Sequence, residues 1–356
     1  MYFSLSMVEL VFCKANMNQR FTVQQKAIVS LIICILSACS KPIPSQSKYV
    51  IGTYCTITLY DKGRPSVYRE IFNRLGEIEN RMSTSIEGSD IYKVNKSAGI
   101  EAVKVHDDVF TVVERALHFA ALSEGAFDPT VEPLVSLWGI GGDNPGVPPP
   151  EEIERLLPLI NWRGVVLDKQ NETVFLEKPG MALDLGAIAK GYAADEAAKI
   201  IKNARIPQAI IDLGGNIMTV GEKKDKSLWR IGIQNPLDGR GAFIGIVELM
   251  EKSVVTSGVY ERYFISDGVH YHHILDPSIG YPAQSGLLSV TIVSESSMDA
   301  DALATAAFVL GYDKGRALVE SLEGVEAVFV FEDKTVRKTA AADFSINDET
   351  YTLVYN

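Results

Sequence analysis

The sequence predicts an α+β fold, a single domain of two lobes with mixed or antiparallel sheets and flanking helices. Segments rich in β-branched and aromatic residues are interspersed with segments whose apolar residues recur at helical spacing. Their order shows no regular strand–helix–strand repeat, which argues against a doubly wound parallel sheet. The chain has 356 residues, of which 47% are hydrophobic, enough to fill a substantial core.

Local patterns place the elements along the chain. Strands are predicted at 49–60, 165–167, 173–176, 209–212, 229–234, 245–249, 289–293 and 327–331, with a hairpin around Asn171. Helices are predicted at 70–82, 109–122, from about Glu151 after the loop 144–150, and at 187–204, 298–310 and 314–322.

The amino-terminal segment has the pattern of a secretion signal. Arg20 and Lys26 precede twelve uncharged, mainly apolar residues at 27–38, a length typical of a signal peptide and too short to span a bilayer. The run ends in Leu-Ser-Ala-Cys at 36–39, which resembles a bacterial lipobox and predicts lipidation of Cys39. A buried helix that happens to contain a cysteine is the alternative.

These features divide the chain into a signal peptide at 1–38, a polar tether at 39–47 and a folded domain at 48–356. Residues 1–16 fit no targeting pattern, and Met17 is the better candidate for the true start. We therefore expect a lipoprotein whose acyl anchor holds a soluble body to a membrane, outside the cytoplasm on the periplasmic side.

Composition excludes one class of partner. The chain has 45 acidic and 34 basic residues, and it contains no basic block interleaved with aromatic residues, so nucleic acid is not expected as a partner. Of four cysteines, only Cys55 would remain as a thiol after processing and lipidation. A lone thiol cannot form an internal disulfide, which predicts core packing for Cys55.

Two glycine-punctuated segments are candidates for binding. In 125–139, Asp128-Pro129 is typical of a turn, and for this segment alone a structured loop beside the core is favoured over a binding site. In 183–192 (LDLGAIAKGY), a turn at Gly186 leads into a helix start, which offers free N–H groups and a positive dipole end to phosphate. Lys190 would lie on its opening turn. The segment is neither a Walker loop nor a dinucleotide motif, and strand–Gly–helix turns are common.

Two further segments carry polar chemistry. The strand at 211–216 ends in two glycines, which either make a tight turn or let the backbone approach a ligand. His272 and His273 would point to opposite faces of an extended chain, so one of them at most faces a given site. Asp301 and Thr305 share a helix face, and an oxygen-only donor set suits Mg²⁺ and not zinc. By spacing alone, the alternative of an ordinary solvated helix face is the favoured interpretation.

Taken together, these segments resemble the ApbE family, the FAD:protein FMN transferases. The resemblance runs from about residue 50 to 311 and covers nearly all of the predicted mature chain. The motifs that carry it, besides the lipobox, are FDPTV at 127–131, DLGAIAKGY at 184–192, DLGGN at 212–216, TSG at 256–258, HILDP at 273–277 and DALAT at 301–305.

The resemblance implies Mg²⁺ and FAD, the latter as substrate. Mg²⁺ would be held by the Ala187 backbone oxygen, Asp301 and Thr305. His273 would accept a proton, and Lys190 would assist catalysis. FAD contacts would come from Ile51, Ser85, Ala126, Phe127, Asp128, Asp184, Lys190 and Leu275. Two positions depart from the family pattern: Ile51 stands where Met is usual, and Ser85 stands where many transferases have an aromatic ring.

The implied activity is transfer of FMN from FAD, through a phosphoester, to a threonine or serine of an acceptor flavoprotein, with release of AMP. Typical acceptors in the family are subunits of membrane electron-transfer complexes. Two alternatives remain: an FAD pyrophosphatase, favoured if the missing ring at Ser85 admits water, and a non-catalytic flavin-binding lipoprotein.

Overall fold

A nine-stranded sheet organises the protein. The computed structural model describes residues 45–60, 63–239 and 241–355. The strands are β1 (Gln46–Val50), β2 (Thr53–Leu59), β3 (Val103–Lys104), β4 (Val165–Asp168), β5 (Thr173–Leu176), β6 (Ala209–Leu213), β7 (Asn216–Val220), β8 (Trp229–Gln234), β9 (Phe243–Leu249), β10 (Ser253–Gly258), β11 (Tyr263–Ser266), β12 (Val269–His272), β13 (Leu287–Ser294), β14 (Glu326–Phe331), β15 (Thr335–Lys338), β16 (Phe344–Ile346) and β17 (Thr352–Leu353).

The large sheet has the strand order β1-β2-β6-β7-β10-β13-β14-β15-β17. Its neighbours pair antiparallel, except β15 and β17, which are parallel. Three smaller sheets have the orders β16-β9-β8, β3-β5-β4 and β11-β12.

Seven α-helices accompany these sheets in the described part of the chain. They are α1 (Pro65–Met82), α2 (Asp90–Lys96), α3 (Asp107–Leu122), α4 (Glu132–Trp138), α5 (Pro150–Leu156), α6 (Ala189–Asn203) and α7 (Ser297–Glu320). The predicted α+β class, with mixed sheets and flanking helices, is confirmed.

The large sheet is covered on both faces. Along β14, Phe329 belongs to the core that includes α1, α6 and α7, whereas Val328 and Val330 belong to a second core that includes β8 and β9. This alternation is the period of two of an extended strand. Each such fully buried side chain stabilises the fold by about 1.5–3 kcal/mol, so the sheet is a rigid platform for the helices above it.

The prediction of one strand at 49–60 is wrong, because the structure has a hairpin of two strands, β1 and β2, in this region. Val50 pairs with Thr53, and the two intervening residues, Ile51 and Gly52, have φ of 50° and 69°. Two consecutive positive φ angles make a two-residue hairpin turn. The run of β-forming side chains concealed it, because isoleucine rarely adopts that conformation.

Two helix predictions also need adjustment. The helix predicted at 187–204 begins at Ala189, since Ile188 has a non-helical φ of −145°. The helices predicted at 298–310 and 314–322 form the single element α7, which is interrupted at Gly311, where φ is 73° and ψ is −179°. The prediction of two helical runs is therefore correct in substance, with Gly311 as the break between them.

The predicted signal peptide, lipobox and Cys39 lie outside the described residues. Strand β1 begins at Gln46, inside the segment predicted as a tether. No described helix is both long enough and apolar enough to cross a membrane. Cys55 is fully buried in β2, and burial raises the pKa of its thiol to about 12, so it packs as a neutral group, as predicted.

Candidate active site

The crossing of α6 and α7 brings together residues that are distant in sequence. A side chain on Gly191 would place its Cβ 2.2 Å from the Ser297 carbonyl oxygen, so only glycine permits this close approach. As a result, the buried Asp301 on α7 reaches the opening turn of α6. Its Oδ2 accepts a hydrogen bond from the Gly191 N–H at 3.0 Å.

This contact changes the hydrogen bonding of the helix start. In a continuous helix the Gly191 N–H would donate to the Ala187 carbonyl, four residues earlier. Because Ile188 is non-helical and the Gly191 N–H donates to Asp301, the Ala187 carbonyl is left for another partner. The predicted role of Ala187, a backbone oxygen available to a metal, is compatible with this geometry.

Lys190 lies on the opening turn of α6, as predicted. Its Nζ donates to the Gly186 carbonyl at 2.9 Å and lies 3.5 Å from Asp301 Oδ1. Asp184, two residues before Gly186, accepts the Gly186 N–H at 2.6 Å, which holds the turn. The helix start therefore carries a cation next to a buried carboxylate.

Thr305 lies one helical turn beyond Asp301 on α7. Its Oγ1 is 3.3 Å from Ser257 Oγ at the end of β10. Asp301 is only 4% exposed and Thr305 is half-buried, so the alternative of a solvated helix face is wrong.

The donor set fits a small, hard cation. One carboxylate, one hydroxyl and one open carbonyl are all oxygen ligands, the chemistry that Mg²⁺ prefers. Within the described residues, no cluster of three or more His, Cys, Asp or Glu side chains could hold a metal ion. The fit to Mg²⁺ therefore depends on Ala187 and Thr305 as much as on Asp301.

His273 and Arg262 are joined through the backbone. The Arg262 carbonyl accepts hydrogen bonds from the His273 N–H at 3.1 Å and from His273 Nδ1 at 3.2 Å. Because a carbonyl can only accept, Nδ1 must carry the proton, which leaves the lone pair on Nε2. The half-buried imidazole is thus fixed in one tautomer.

Burial, the largest cause, and the positive charges of Arg262 and Lys190 together lower the pKa of His273 to about 4, although the hydrogen bond to the Arg262 carbonyl opposes the shift. His273 is accordingly neutral at pH 7. Lys190 contacts Asp301 and its charge acts on His273, which links the two predicted catalytic residues to the predicted metal carboxylate.

The sequence motifs assign no role to Arg262. A signal was available: Asp267-Gly268, at φ of 51° and 79°, forms the turn of the β11–β12 hairpin. An Asp-Gly turn fixes the register of its strands, here Tyr263 opposite His272. One residue further out, Arg262 must then meet His273.

The segment 125–139 lies beside the helix-start segment. The Asp184 N–H donates to the Pro129 carbonyl at 2.8 Å. Asp128 is buried, and its carboxylate accepts from the Thr130 N–H and hydroxyl and from the Trp162 N–H, at 2.8, 2.6 and 3.1 Å. These bonds organise the loop. Burial nevertheless raises the pKa of Asp128, and the hydrogen bonds oppose that rise.

The other predicted FAD contacts differ in their surroundings. Phe127 is buried in the main core, and Ala126 beside it is half-buried. Leu275 is buried in a separate cluster with Leu134 and Trp138.

Ile51 and Ser85 occupy turns. Ile51 is half-buried in the β1–β2 turn, where the Gly52 carbonyl lies 3.5 Å from Arg262 Nη2. Ser85 is exposed, and both its N–H and its hydroxyl lie within hydrogen-bond distance of Ser83 Oγ.

Known proteins resemble this chain in both sequence and fold. Residues 51–329 match the model of the ApbE family. The chain is 40% identical over 314 residues to an FAD:protein FMN transferase of Treponema pallidum, covering 83% of this chain and 86% of that one. A protein of the same name from Klebsiella pneumoniae is 37% identical, covering 82% and 90%.

Solved structures agree. The ApbE protein of Thermotoga maritima superposes with a TM-score of 0.76 at 36% identity, covering 83% of this chain and 96% of that chain. The flavin transferase ApbE of Vibrio cholerae gives 0.73 at 30% identity, covering 86% and 97%. On its sequence, its fold and the spatial arrangement of its motifs, the chain belongs to the ApbE family.

Proposed function

We propose that this protein is a Mg²⁺-dependent FAD:protein FMN transferase. It cleaves FAD and attaches FMN through a phosphoester to a threonine or serine of an acceptor flavoprotein, releasing AMP. One observation carries the proposal: the buried Asp301 meets Lys190 at a helix start whose Ala187 carbonyl is open, and the charge of Lys190 lowers the pKa of a tautomer-fixed His273. The names of the relatives supply the substrate class.

The helix start suits the pyrophosphate of FAD. It offers the positive end of the α6 dipole and the ammonium of Lys190 to an anion. Asp301, Thr305 and the Ala187 carbonyl would hold Mg²⁺ beside it, and that ion, when bound, draws negative charge from phosphate oxygens. Asp301 also neutralises Lys190 before substrate arrives, which keeps the lysine in place.

The transfer step is a substitution at phosphorus. The acceptor hydroxyl oxygen forms a bond to the FMN-side phosphorus, and the bond from that phosphorus to the bridging oxygen breaks, so AMP leaves with the electron pair. His273 Nε2 takes the hydroxyl proton, since Nδ1 is held by the Arg262 carbonyl. A neutral imidazole at pH 7 can accept that proton.

A second candidate, an FAD pyrophosphatase, is favoured by Ser85. This side chain is small, polar and exposed at a position where many family members have a ring. Water and a protein hydroxyl would compete for the same phosphorus, and both reactions would use the same base. The two activities therefore differ in the nucleophile and share the machinery.

The test is incubation of the mature protein with FAD and Mg²⁺, with and without a flavin-acceptor domain. Transfer gives covalently fluorescent acceptor and AMP, hydrolysis gives free FMN and AMP, and a binding protein gives neither. We expect chelation or Asp301→Asn to lower FAD cleavage by about 10³-fold, since metal stabilisation of transition-state charge contributes several kcal/mol.

Asp299→Asn is the matched control for that test. Asp299 lies on the same helix, but its carboxylate binds Arg115 at 2.6 and 2.8 Å. We expect this variant to retain cleavage. Full activity of the wild type in excess chelator would contradict the metal-dependent mechanism.

The membrane anchor is part of the proposal. Cys39 would carry the lipid, and the folded domain would lie on the periplasmic side, where its acceptors would be membrane electron-transfer subunits. Cys39→Ser should move the protein from the membrane to the soluble fraction without changing its turnover. A wild type that fractionates as soluble, with its first 38 residues intact, would contradict the anchor.

A further inference from the structure

We propose that Arg262 is a catalytic residue that binds the pyrophosphate of FAD through its guanidinium group, beside His273. This inference rests on the proposed function and adds a phosphate ligand that the sequence motifs do not assign. Its backbone carbonyl orients the base, so a single residue links phosphate binding to proton transfer.

Arg262 differs from several other arginines of the fold in its charge pairing. Arg74 and Arg81 share Asp108 at 2.9 and 2.7 Å, and Arg115 pairs with Asp299. By contrast, no carboxylate of the described residues lies within ion-pair distance of Arg262. Its guanidinium makes only a long contact, 3.5 Å, to the Gly52 carbonyl. An arginine with unused donors next to a catalytic base suits a phosphate, which guanidinium groups bind in a bidentate manner.

The Arg262 side chain contacts the rest of the fold on two sides. On one side lies the Ile51–Gly52 turn, in which Ile51 adopts a φ of 50° that a β-branched residue seldom tolerates. On the other lies Gly141, at φ 87°, where a Cβ would come within 3.0 Å of the Arg262 Cδ. The arginine stem therefore packs between two turns, which restricts this otherwise exposed side chain before substrate binds.

The chemistry of the transfer step also favours a guanidinium at this position. As the bridging bond breaks, negative charge grows on the departing AMP phosphate. A preorganised guanidinium beside that oxygen stabilises this charge. The charges of Arg262, Lys190 and His272 each lower the pKa of His273 in the free protein, and the hydrogen bond of His273 to the Arg262 carbonyl opposes them. A bound pyrophosphate would neutralise the field of Arg262 and Lys190, so His273 would become a stronger base when substrate is present.

The experiment compares Arg262→Gln and Arg262→Lys with Arg69→Gln, a substitution of an exposed arginine on α1. The kcat and KM for FAD cleavage are measured from pH 4 to 9. We expect Arg262→Gln to lower kcat/KM by about 10²–10³-fold, the usual effect of removing one preorganised charge donor, with a smaller loss for Arg262→Lys. Arg69→Gln should match the wild type.

The pH profile separates a catalytic role from a structural one. Without the guanidinium charge, His273 protonates more readily, so the acid limb of kcat/KM should move to higher pH in Arg262→Gln and stay in place in Arg262→Lys. An active wild type whose Arg262→Gln variant keeps kcat/KM within about twofold overturns this inference and leaves the proposed function standing. A wild type that does not cleave FAD overturns the proposed function itself.

Misfolding is controlled by melting curves. If Arg262→Gln melts early, Arg262→Lys still decides, because it keeps the stem and the charge but loses the bidentate fork. A Lys variant with wild-type kcat, KM and melting temperature would also overturn the inference.

Discussion

His272 and His273 are neighbours in the chain, and the pKa of each is lowered to about 4, yet their contacts differ. His272 is buried and uses both ring nitrogens within the protein: Nε2 donates to the Ala283 carbonyl at 3.0 Å, and Nδ1 accepts from the Ile274 N–H at 3.3 Å. In His273 only Nδ1 has a partner within the described residues. Both residues thus have a lowered pKa, and the open lone pair on Nε2 makes His273 the better candidate for a base.

The same contrast separates two carboxylates. Asp128 accepts three hydrogen bonds from Thr130 and Trp162, which organise its loop. Asp301 receives one N–H and lies near the charge of Lys190. Burial alone does not identify a functional group; unused bonding capacity that points to a shared space does.

The largest expected effect breaks the histidine comparison directly. His273→Gln should lower FAD cleavage at pH 7 by about 10²–10⁴-fold, the range of general-base catalysis, with little change in melting temperature. His272→Gln should keep cleavage within about threefold, because the glutamine amide can still donate to the Ala283 carbonyl. Initial rates of AMP release from both variants provide the measurement. Equal losses would show that the two residues do not have separate roles.

An intermediate effect concerns stability in acid. The folded pKa of His272, about 4, lies below the ordinary value of 6.5, so the folded state binds fewer protons than the unfolded state between these values. The contribution of neutral His272 to the free energy of unfolding is therefore fully present above pH 6.5. It is lost as the pH falls towards 4, by at most ~3 kcal/mol.

Urea unfolding of the wild type and of His272→Gln at pH 7 and pH 4.5 measures this loss. The variant should be less sensitive to the change of pH, since it no longer carries the group that must charge. Parallel losses in the two proteins would assign acid sensitivity to other groups.

The features that could be predicted from the sequence are those that follow from local spacing. Asp301 and Thr305 share a helix face because they are four apart, and Lys190 follows a strand–Gly–helix turn. Arg262 was missed because its partner, His273, becomes adjacent only through the register of the β11–β12 hairpin. Gly191 was missed for a similar reason: its function is to admit Ser297 of a helix a hundred residues away.

The Ile51 turn illustrates a different limit. Side-chain type indicated a continuous strand at 49–60, and the backbone departs from that preference at Ile51. Such departures are enriched at functional sites, because surrounding contacts rather than local propensity hold them. Here the pairing of β1 with β2 imposes the turn, and the Gly52 carbonyl lies 3.5 Å from Arg262 Nη2.

The smallest expected effect concerns which nucleophile, water or the acceptor hydroxyl, gives its proton to His273. Water and the acceptor hydroxyl both need this base, so His273→Gln lowers both reactions, whereas Ser85→Tyr should alter only their ratio. The turn that carries Ser85 is held by Ser83, whose hydroxyl accepts the Ser85 and Ile86 N–H groups. An exposed tyrosine at position 85 therefore requires no change in the backbone. If its ring stacks on the flavin dinucleotide and excludes water, it contributes roughly 0.5–1.5 kcal/mol, a few-fold to about tenfold. Free FMN should fall relative to fluorescent acceptor by that factor. Ser85→Ala is the matched control and should leave the ratio at the wild-type value. An unchanged ratio in Ser85→Tyr would make Ser85 an ordinary residue of a solvated turn. Other residues of the site would then determine whether water or the acceptor hydroxyl reacts.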